Sequence, residues 1–295
     1  MLSIIVSTRG NRIRELKRLF LSLRKINRGD NLEFILVDQN EKNQSLKTLL
    51  DSFQKRLKLR TIYVKDGGIG LSRGRNIGIK KAKGDWFMFL DDDAVIDNFS
   101  QEDFLILEKN KLKKIIYYGN VLNLENRKSY IKRRILTRKV HLWNFDSICS
   151  IGLLFSRKAI EEIGFFDEDF GAGSKFGAAE ESDMLIRALK KGVEINYLKN
   201  LIVLHPEAKI SIEKKYSYGY GIGALYRKHI FDSFPTLLCL GFKFILEIKL
   251  RLLAAIFFFF RSKKQHAKAH LQYLKGFLKG FTSYHKIKYA GFRNC

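Results

Sequence analysis

Proline occurs only twice in the 295 residues, at Pro206 and Pro235, which excludes a proline-rich linker between two halves. The three cysteines, Cys149, Cys239 and Cys295, lie far apart and form no C-x-x-C pair. Neither a zinc site nor a disulfide framework is suggested, and a reducing compartment fits. No Walker A sequence is present, which removes the common explanation for a nucleoside triphosphatase. No uncharged apolar run reaches the roughly 20 residues that cross a bilayer. The chain enters a strand-like segment at once, Leu2 to Ser7, which is expected to leave no room for a signal peptide. No internal repeat is visible. Negative charge is the scarcer sign, with 30 Asp and Glu against 55 Lys and Arg and a net charge of +25.

Such an excess favours an anionic partner, whether nucleic acid, an anionic membrane or a phosphorylated substrate. It is unevenly spread. From Lys209 onward 17 basic residues face 3 acidic ones, against 38 and 27 before it. A hydrophobic content of 46% supports a packed core and argues against global disorder. The length allows one large domain, or one domain with a C-terminal appendage.

The first two hundred residues alternate two kinds of segment. Strands are expected at Ser3–Ser7, Glu33–Asp38, Arg60–Asp66 and Trp86–Leu90, with helices at Arg12–Lys25, Gln44–Lys55 and Ser72–Lys83. Ser72 and Gly84 sit where helix caps are favoured. This alternation specifies an α/β fold, a mostly parallel sheet with helices on both faces. Further on, strands are expected at Ile115–Asn123, Ile148–Phe155 and Leu201–Leu204, with a basic loop from Arg127 to Lys139. Helices are expected after Ser156 and from the acidic patch Glu180-Glu181-Ser182-Asp183.

Chemistry concentrates at four places. Trp86-Phe87-Met88-Phe89-Leu90 reads as a buried strand, and Asp91, Asp92 and Asp93 arrive where it ends. Carboxylates crowded at a strand terminus repel one another unless a cation joins them, and hard oxygen ligands suit Mg²⁺ or Mn²⁺. The same cluster also reads as a solvated acidic turn. Gly67 to Asn76 is rich in glycine, with Arg73 and Arg75, and opens a helix. It reads either as a phosphate cradle or as a plain turn, and its spacing misses the dinucleotide fingerprint. Glu180, Glu181 and Asp183 either complement a helix dipole or supply a general base. His205, just before Pro206, reads as a metal ligand or as an ordinary strand-end histidine.

The order of these pieces resembles family 2 glycosyltransferases of the GT-A fold, bacterial surface-polysaccharide type, over roughly residues 2–230. The resemblance rests on Ser7-Thr8-Arg9, Val37-Asp38, Gly70-Leu71-Ser72-Arg73-Gly74-Arg75-Asn76-Ile77-Gly78, Leu90-Asp91-Asp92-Asp93, the Glu180-Glu181 pair and His205. Also similar are Ser156-Arg157-Lys158-Ala159-Ile160, Gly164-Phe165-Phe166-Asp167-Glu168 and the segment Gly219 to His229. It implies that Asp93 ligates Mn²⁺ or Mg²⁺, with Asp91 nearer the donor ribose or sugar and His205 completing the metal or phosphate contacts. It implies that Thr8, Arg9, Asp38 and Asp92 line the nucleotide-sugar site, and that Arg73 and Asn76 approach the donor. Glu181 aligns with the family's general base, supported by Glu180 and Asp183. The expected reaction is inverting transfer from a nucleoside diphosphate sugar, uracil being the base by family tendency, to a saccharide or lipid-linked hydroxyl. The chain departs from the family pattern at Asp38-Gln39-Asn40-Glu41, in place of Asp-Asp-Gly-Ser, and at Glu181, in place of Asp. It has no Gln-x-x-Arg-Trp sequence, which argues against a processive synthase.

The expected division is a catalytic domain over 1–208, with 1–120 for the nucleotide-sugar and 121–208 for the acceptor, then a basic, aromatic helical region over 209–295. Lys243, Glu247 and Arg251 recur every four residues and share one helical face of the apolar segment Ser233–Phe260; Leu271–Tyr284 forms a second. These helices pack on the protein or a second subunit, or lie on a membrane; the Phe257–Phe260 run favours an anionic membrane, at the inner face of the cell membrane. Two alternatives carry other functions: a nucleic-acid- or membrane-binding protein without catalysis, and a haloacid-dehalogenase-like phosphatase, whose Asp-x-Asp nucleophile motif Asp91–Asp93 also fits. No nucleic-acid motif is present, so no nucleic-acid partner is expected.

Overall fold

The computed structural model describes residues 1–26, 31–40, 45–130, 139–148, 151–207 and 211–285. It divides into two compact units, Met1–Glu168 with Glu180–Lys209, and Asp169–Ala179 with Ile210–Cys295.

The first unit is an eight-stranded sheet with helices. In chain order its elements are β1 (Leu2–Thr8), α1 (Ile13–Leu23), β2 (Leu32–Asp38), α2 (Ser45–Leu57), β3 (Arg60–Lys65), α3 (Leu71–Lys81), β4 (Trp86–Leu90), β5 (Val95–Asn98), α4 (Gln101–Asn110), β6 (Ile115–Asn123), β7 (Leu153–Ser156), α5 (Arg157–Ile163), α6 (Glu180–Lys190) and β8 (Glu194–His205). The strand order is β3-β2-β1-β4-β7-β6-β8-β5. The first four strands in this order are parallel, β7 runs antiparallel to both neighbours, β6 and β8 are parallel, and β5 closes the edge antiparallel to β8. This is a GT-A-like arrangement. Strands β1, β2 and β4 are buried along their whole length, as continuous apolar runs in a sheet covered on both faces must be. Helix α1 presents Leu16, Leu19, Phe20 and Leu23 to the core at helical spacing, and Phe20 packs on Phe34 and Phe53.

Several sequence expectations change in detail. Helix α3 takes no cap from Ser72, which is buried in its first turn; Gly70 stands at the cap position, and the helix ends before Ala82 rather than at Lys83. A side chain at Gly74 would overlap Ser7, and one at Gly78 would overlap Ile5, so these glycines let α3 lie directly on β1. Beyond Asp93 the chain is more regular than the sequence pattern suggests: β5 and α4 follow, α4 closed by a Ser100–Asp103 capping box. The strand expected at Ile148–Phe155 is β7, starting only at Leu153 after a 3-10 turn at Phe145–Ser147. Strand β8 begins seven residues before the expected Leu201. Ser156 caps α5 by accepting from Ala159 N–H at 3.0 Å, as expected. Residues 131–138 of the basic loop, and Cys149 and Cys295, lie outside the described residues.

The second unit is built on α7 (Ile212–His229), α8 (Phe234–Phe260) and α9 (Lys264–Ser283). Gly219 and Gly223 on α7 face the backbone of α9 at Tyr273 and Phe277, and Gly276 and Gly280 on α9 face the α7 backbone at Tyr216 and Tyr220. A Cβ at any of the four would strike a main-chain carbonyl. The two helices thus meet backbone to backbone through reciprocal G-x-x-x-G faces. Phe176 and Tyr220 pack beside this contact as a tilted pair with ring centroids 5.4 Å apart. Among the described residues no helix is long and apolar enough to cross a membrane.

Candidate active site

The carboxyl ends of β1, β2 and β4 carry Thr8, Asp38 and Asp91 to one edge of the sheet, where open α/β sheets bind ligands. Asp91 to Ala94 forms a tight turn closed by Ala94 N–H to the Asp91 carbonyl at 3.1 Å. The turn feeds β5, whose Val95 pairs with Leu204 of β8. That pairing brings His205 beside the aspartates: its Nε2 lies 3.0 Å from Asp93 Oδ1 and 3.5 Å from Asp91 Oδ2. Asp91, Asp93 and His205 offer ligand atoms within 4.8 Å of one another. Asp93 Oδ1 and His205 Nδ1 are buried with no well-formed hydrogen bond. Two oxygens and an imidazole around orphaned polar atoms fit Mn²⁺ or Mg²⁺.

Electrostatics at this triad follow from the crowding. Burial opposes the charged form of His205, but Asp91 and Asp93 outweigh it and push its pKa up to about 9. Burial likewise opposes ionisation of Asp91, yet His205 and Arg75 hold its carboxyl below the usual range. Asp92 points the other way: it accepts from Thr8 Oγ1 at 2.6 Å and from Arg12 at 3.2 Å, and burial raises its pKa. Arg12 also pairs closely with Asp93.

Arg75 is the residue that joins the two acidic clusters. It is only 2% exposed, and its guanidinium lies 2.5 Å from Glu181, 3.4 Å from Glu180 and 3.5 Å from Asp91. Phe89 and Phe166 hold it by cation–π contacts at 5.8 and 5.4 Å. Three carboxylates thus meet one buried guanidinium. Burial first, and repulsion by Glu181 second, raise the Glu180 carboxyl well above its ordinary range, against the pull of Arg75. Just before it, Ala179 is held at φ +75°, a strained backbone for a residue with a Cβ.

The other expected residues are placed as follows. Asp38 is fully buried and accepts from Tyr63 Oη at 2.6 Å, Lys65 Nζ at 3.1 Å and the Asn40 N–H at 2.8 Å. Arg73 turns to Asp66, which also accepts from Gln39 and from the Gly68 N–H. Asn76 exchanges hydrogen bonds with the Phe166 backbone and donates to Glu168 at 3.0 Å. Asp183 is gripped by Arg187, and Arg9 is exposed. The structure thus gathers Asp91, Glu180 and Glu181 around Arg75 and sets Asp93 and His205 beside Asp91, while Arg73, Asn76 and Asp183 bond elsewhere. Arg75 and Arg12 were not singled out from sequence. For Arg75 a signal existed: Ser72, Arg75, Asn76 and Ile79 form the buried stripe of α3, and Arg73 falls off it. Arg12 follows no pattern that marks it.

Comparison with known proteins agrees with this geometry. Residues 3–164 match the model of glycosyl transferase family 2, and the chain belongs to that family. An uncharacterized glycosyltransferase of Haemophilus influenzae is 34% identical over 197 residues, covering 65% of this chain and 63% of its own. Among solved structures, S. aureus TarS 1-349 in complex with UDP superposes with a TM-score of 0.57 at 19% identity, over 76% of this chain and 65% of that one. The mannosyltransferase PcManGT from Pyrobaculum calidifontis, in complex with GDP-Man and Mn2+, gives 0.59 at 11% identity, over 94% and 86%. The chain thus spans just under two thirds of the Haemophilus relative and of that TarS structure. Its family membership is not the one expected of a haloacid-dehalogenase-like phosphatase.

Proposed function

We propose that this chain is an inverting transferase that moves a sugar from a uridine diphosphate sugar to a hydroxyl of a saccharide or lipid-linked saccharide, in the synthesis of a cell-surface polysaccharide. Asp91, Asp93 and His205 hold Mn²⁺ or Mg²⁺. When bound, the ion neutralises negative charge on the departing diphosphate. Glu181 takes the proton of the acceptor hydroxyl. The hydroxyl oxygen bonds to the anomeric carbon from the side opposite the phosphate, and the carbon–oxygen bond to phosphate breaks with its electron pair leaving on the nucleoside diphosphate. Arg75 aims Glu181 and Asp91 from a single fixed point, so base and leaving-group sides keep their spacing. Thr8, Arg9, Asp38 and Asp92 line the nucleotide-sugar site, with Arg73 and Asn76 fixing the loop and helix beside it and Asp183 anchoring α6.

The observation that carries this assignment is the convergence of two acidic clusters, far apart in sequence, on the buried guanidinium of Arg75. The donor class is supported by the UDP and UDP-GlcNAc complexes of TarS. Release of nucleoside diphosphate from a panel of UDP-, GDP- and dTDP-sugars, with Mn²⁺ and a chloroform–methanol lipid extract as acceptor, tests it. Turnover of a UDP-sugar with inversion at the anomeric carbon is the expected result. Turnover of a GDP-sugar alone would overturn the base assignment, and retention of configuration would overturn the role of Glu181.

A further inference from the structure

Helix α8 is amphipathic the wrong way round for a water-facing helix. Its charged stripe points inward: Glu247 pairs with Arg251 at 2.8 Å, and Arg251 lies over the Tyr273 ring of α9 at 3.9 Å. Beside that stripe, Phe244 packs on Phe277 and Phe281. The opposite face carries Leu238, Phe242, Ile245, Leu252, Ile256 and Phe260 at spacings of three, four and seven residues, with the exposed Lys249 among them. Of these, Phe242 is 57%, Ile245 67% and Phe260 80% exposed. From Leu238 to Phe260 this stripe runs about 33 Å. An apolar stripe of that length, interrupted by Lys249 alone, marks a contact face.

We infer that the outward face of α8, with the basic turn after it and the exposed flank of α9, is a docking surface for an anionic lipid bilayer, with α8 lying in the plane of the interface. Charge selects this occupant. Between Phe234 and His285 nine Lys and Arg face the single carboxylate Glu247, and that carboxylate is already paired. Arg261, Lys263, Lys264 and Lys268 are exposed at the end of the apolar stripe, where headgroups would lie. A second copy would bring the same positive surface against itself, a repulsive match. The charges of α8 also prevent it from spanning, which leaves the in-plane position. The purpose, presenting a lipid-linked acceptor, rests on the proposed function; the docking is measured without donor or acceptor, so the two fail separately.

The test is co-sedimentation of the full chain with phosphatidylcholine vesicles, with and without phosphatidylglycerol at about a third of the lipid. Two variants are compared, Ile256→Ser/Phe260→Ser and Lys263→Glu/Lys264→Glu, each checked for an unchanged melting temperature and unchanged nucleotide binding. Expected is binding that requires phosphatidylglycerol, weakens in high salt, and falls about tenfold or more in each variant. Absence of binding to either vesicle overturns the proposal, as does binding indifferent to lipid charge and to both variants. A concentration-dependent dimer abolished by Ile256→Ser/Phe260→Ser, without vesicle binding, overturns it in favour of an interface between copies.

Discussion

The central strands of the first unit and helix α8 of the second draw on the same apolar residues and use them oppositely. In β1, β2 and β4 every side chain is buried; β2 carries Glu33 near its start, away from the site, and Asp38 at its carboxyl end, beside it. In α8 Lys243, Glu247 and Arg251 turn inward, Lys249 stays outside, and most of the Phe, Leu and Ile turn outward. A two-sided sheet leaves a strand no choice, because both faces are covered. A helix has a free choice of face, and only its surroundings decide which side of an amphipathic pattern is inside. Apolar content therefore reports burial in one unit and an unmet partner in the other.

The largest effect that sharpens this contrast is chemical. Glu181→Gln keeps the shape of the side chain but removes the base, so kcat should fall about 10²- to 10⁴-fold with an unchanged melting temperature. Steady-state transfer measures it, and a loss under about threefold would disprove the assignment. Next come the cores. Phe34→Ala empties a site at the meeting of α1, α2 and β2 and should cost about 3–5 kcal/mol in denaturant unfolding. Gly223→Ala forces a methyl against the α9 backbone and should cost about 1–3 kcal/mol, destabilising the second unit before the first.

Proton linkage gives a smaller effect. The folded protein holds a proton on Glu180 above the range in which the unfolded chain releases it. Between the ordinary carboxylate range and that raised value, the folded state binds more protons. Stability from this group therefore falls as pH rises and recovers as pH drops. Glu180→Gln should flatten that slope and raise the melting temperature at neutral pH, as scanning calorimetry across pH 5 to about 8 would show. The smallest effect breaks the comparison if it fails. Phe260→Ala, with its ring outside, should change stability in water by no more than about 0.5 kcal/mol. A loss as large as that of Phe34→Ala would mean that α8 buries this face.

Much of the first unit was legible because its signals are local. Continuous apolar runs gave β1, β2 and β4, and Asp91 to Asp93 and Glu180-Glu181 stood out as acidic clusters. Elements β5 and α4 went unread: β5 is four residues long and α4 has a weak apolar stripe, although Ser100 and Asp103 spell its capping box. His205 reads as a metal ligand or a strand-end histidine, and only the family resemblance favours the ligand, since its meeting with Asp93 depends on β5–β8 pairing between distant segments. Arg75 was visible as charge but not as the hub, because its role exists only once α3, β4 and α6 come together. In the second unit the four-residue recurrence of Lys243, Glu247 and Arg251 correctly placed them on one face. Which way that face points is a tertiary fact. The glycines of α7 and α9 gave no hint of reciprocal packing until both helices were seen.

The central claim is that Asp91, Asp93 and His205 form the metal and diphosphate end of a sugar-transfer site. The most direct measurement is calorimetric titration of uridine, guanosine and thymidine diphosphates into the wild type and Asp93→Ala, each with Mn²⁺ and with EDTA. Uridine diphosphate should bind the wild type with Mn²⁺, and that binding should weaken about tenfold or more in EDTA or in the variant. Equal binding under all four conditions, or no nucleotide binding at all, would contradict the assignment.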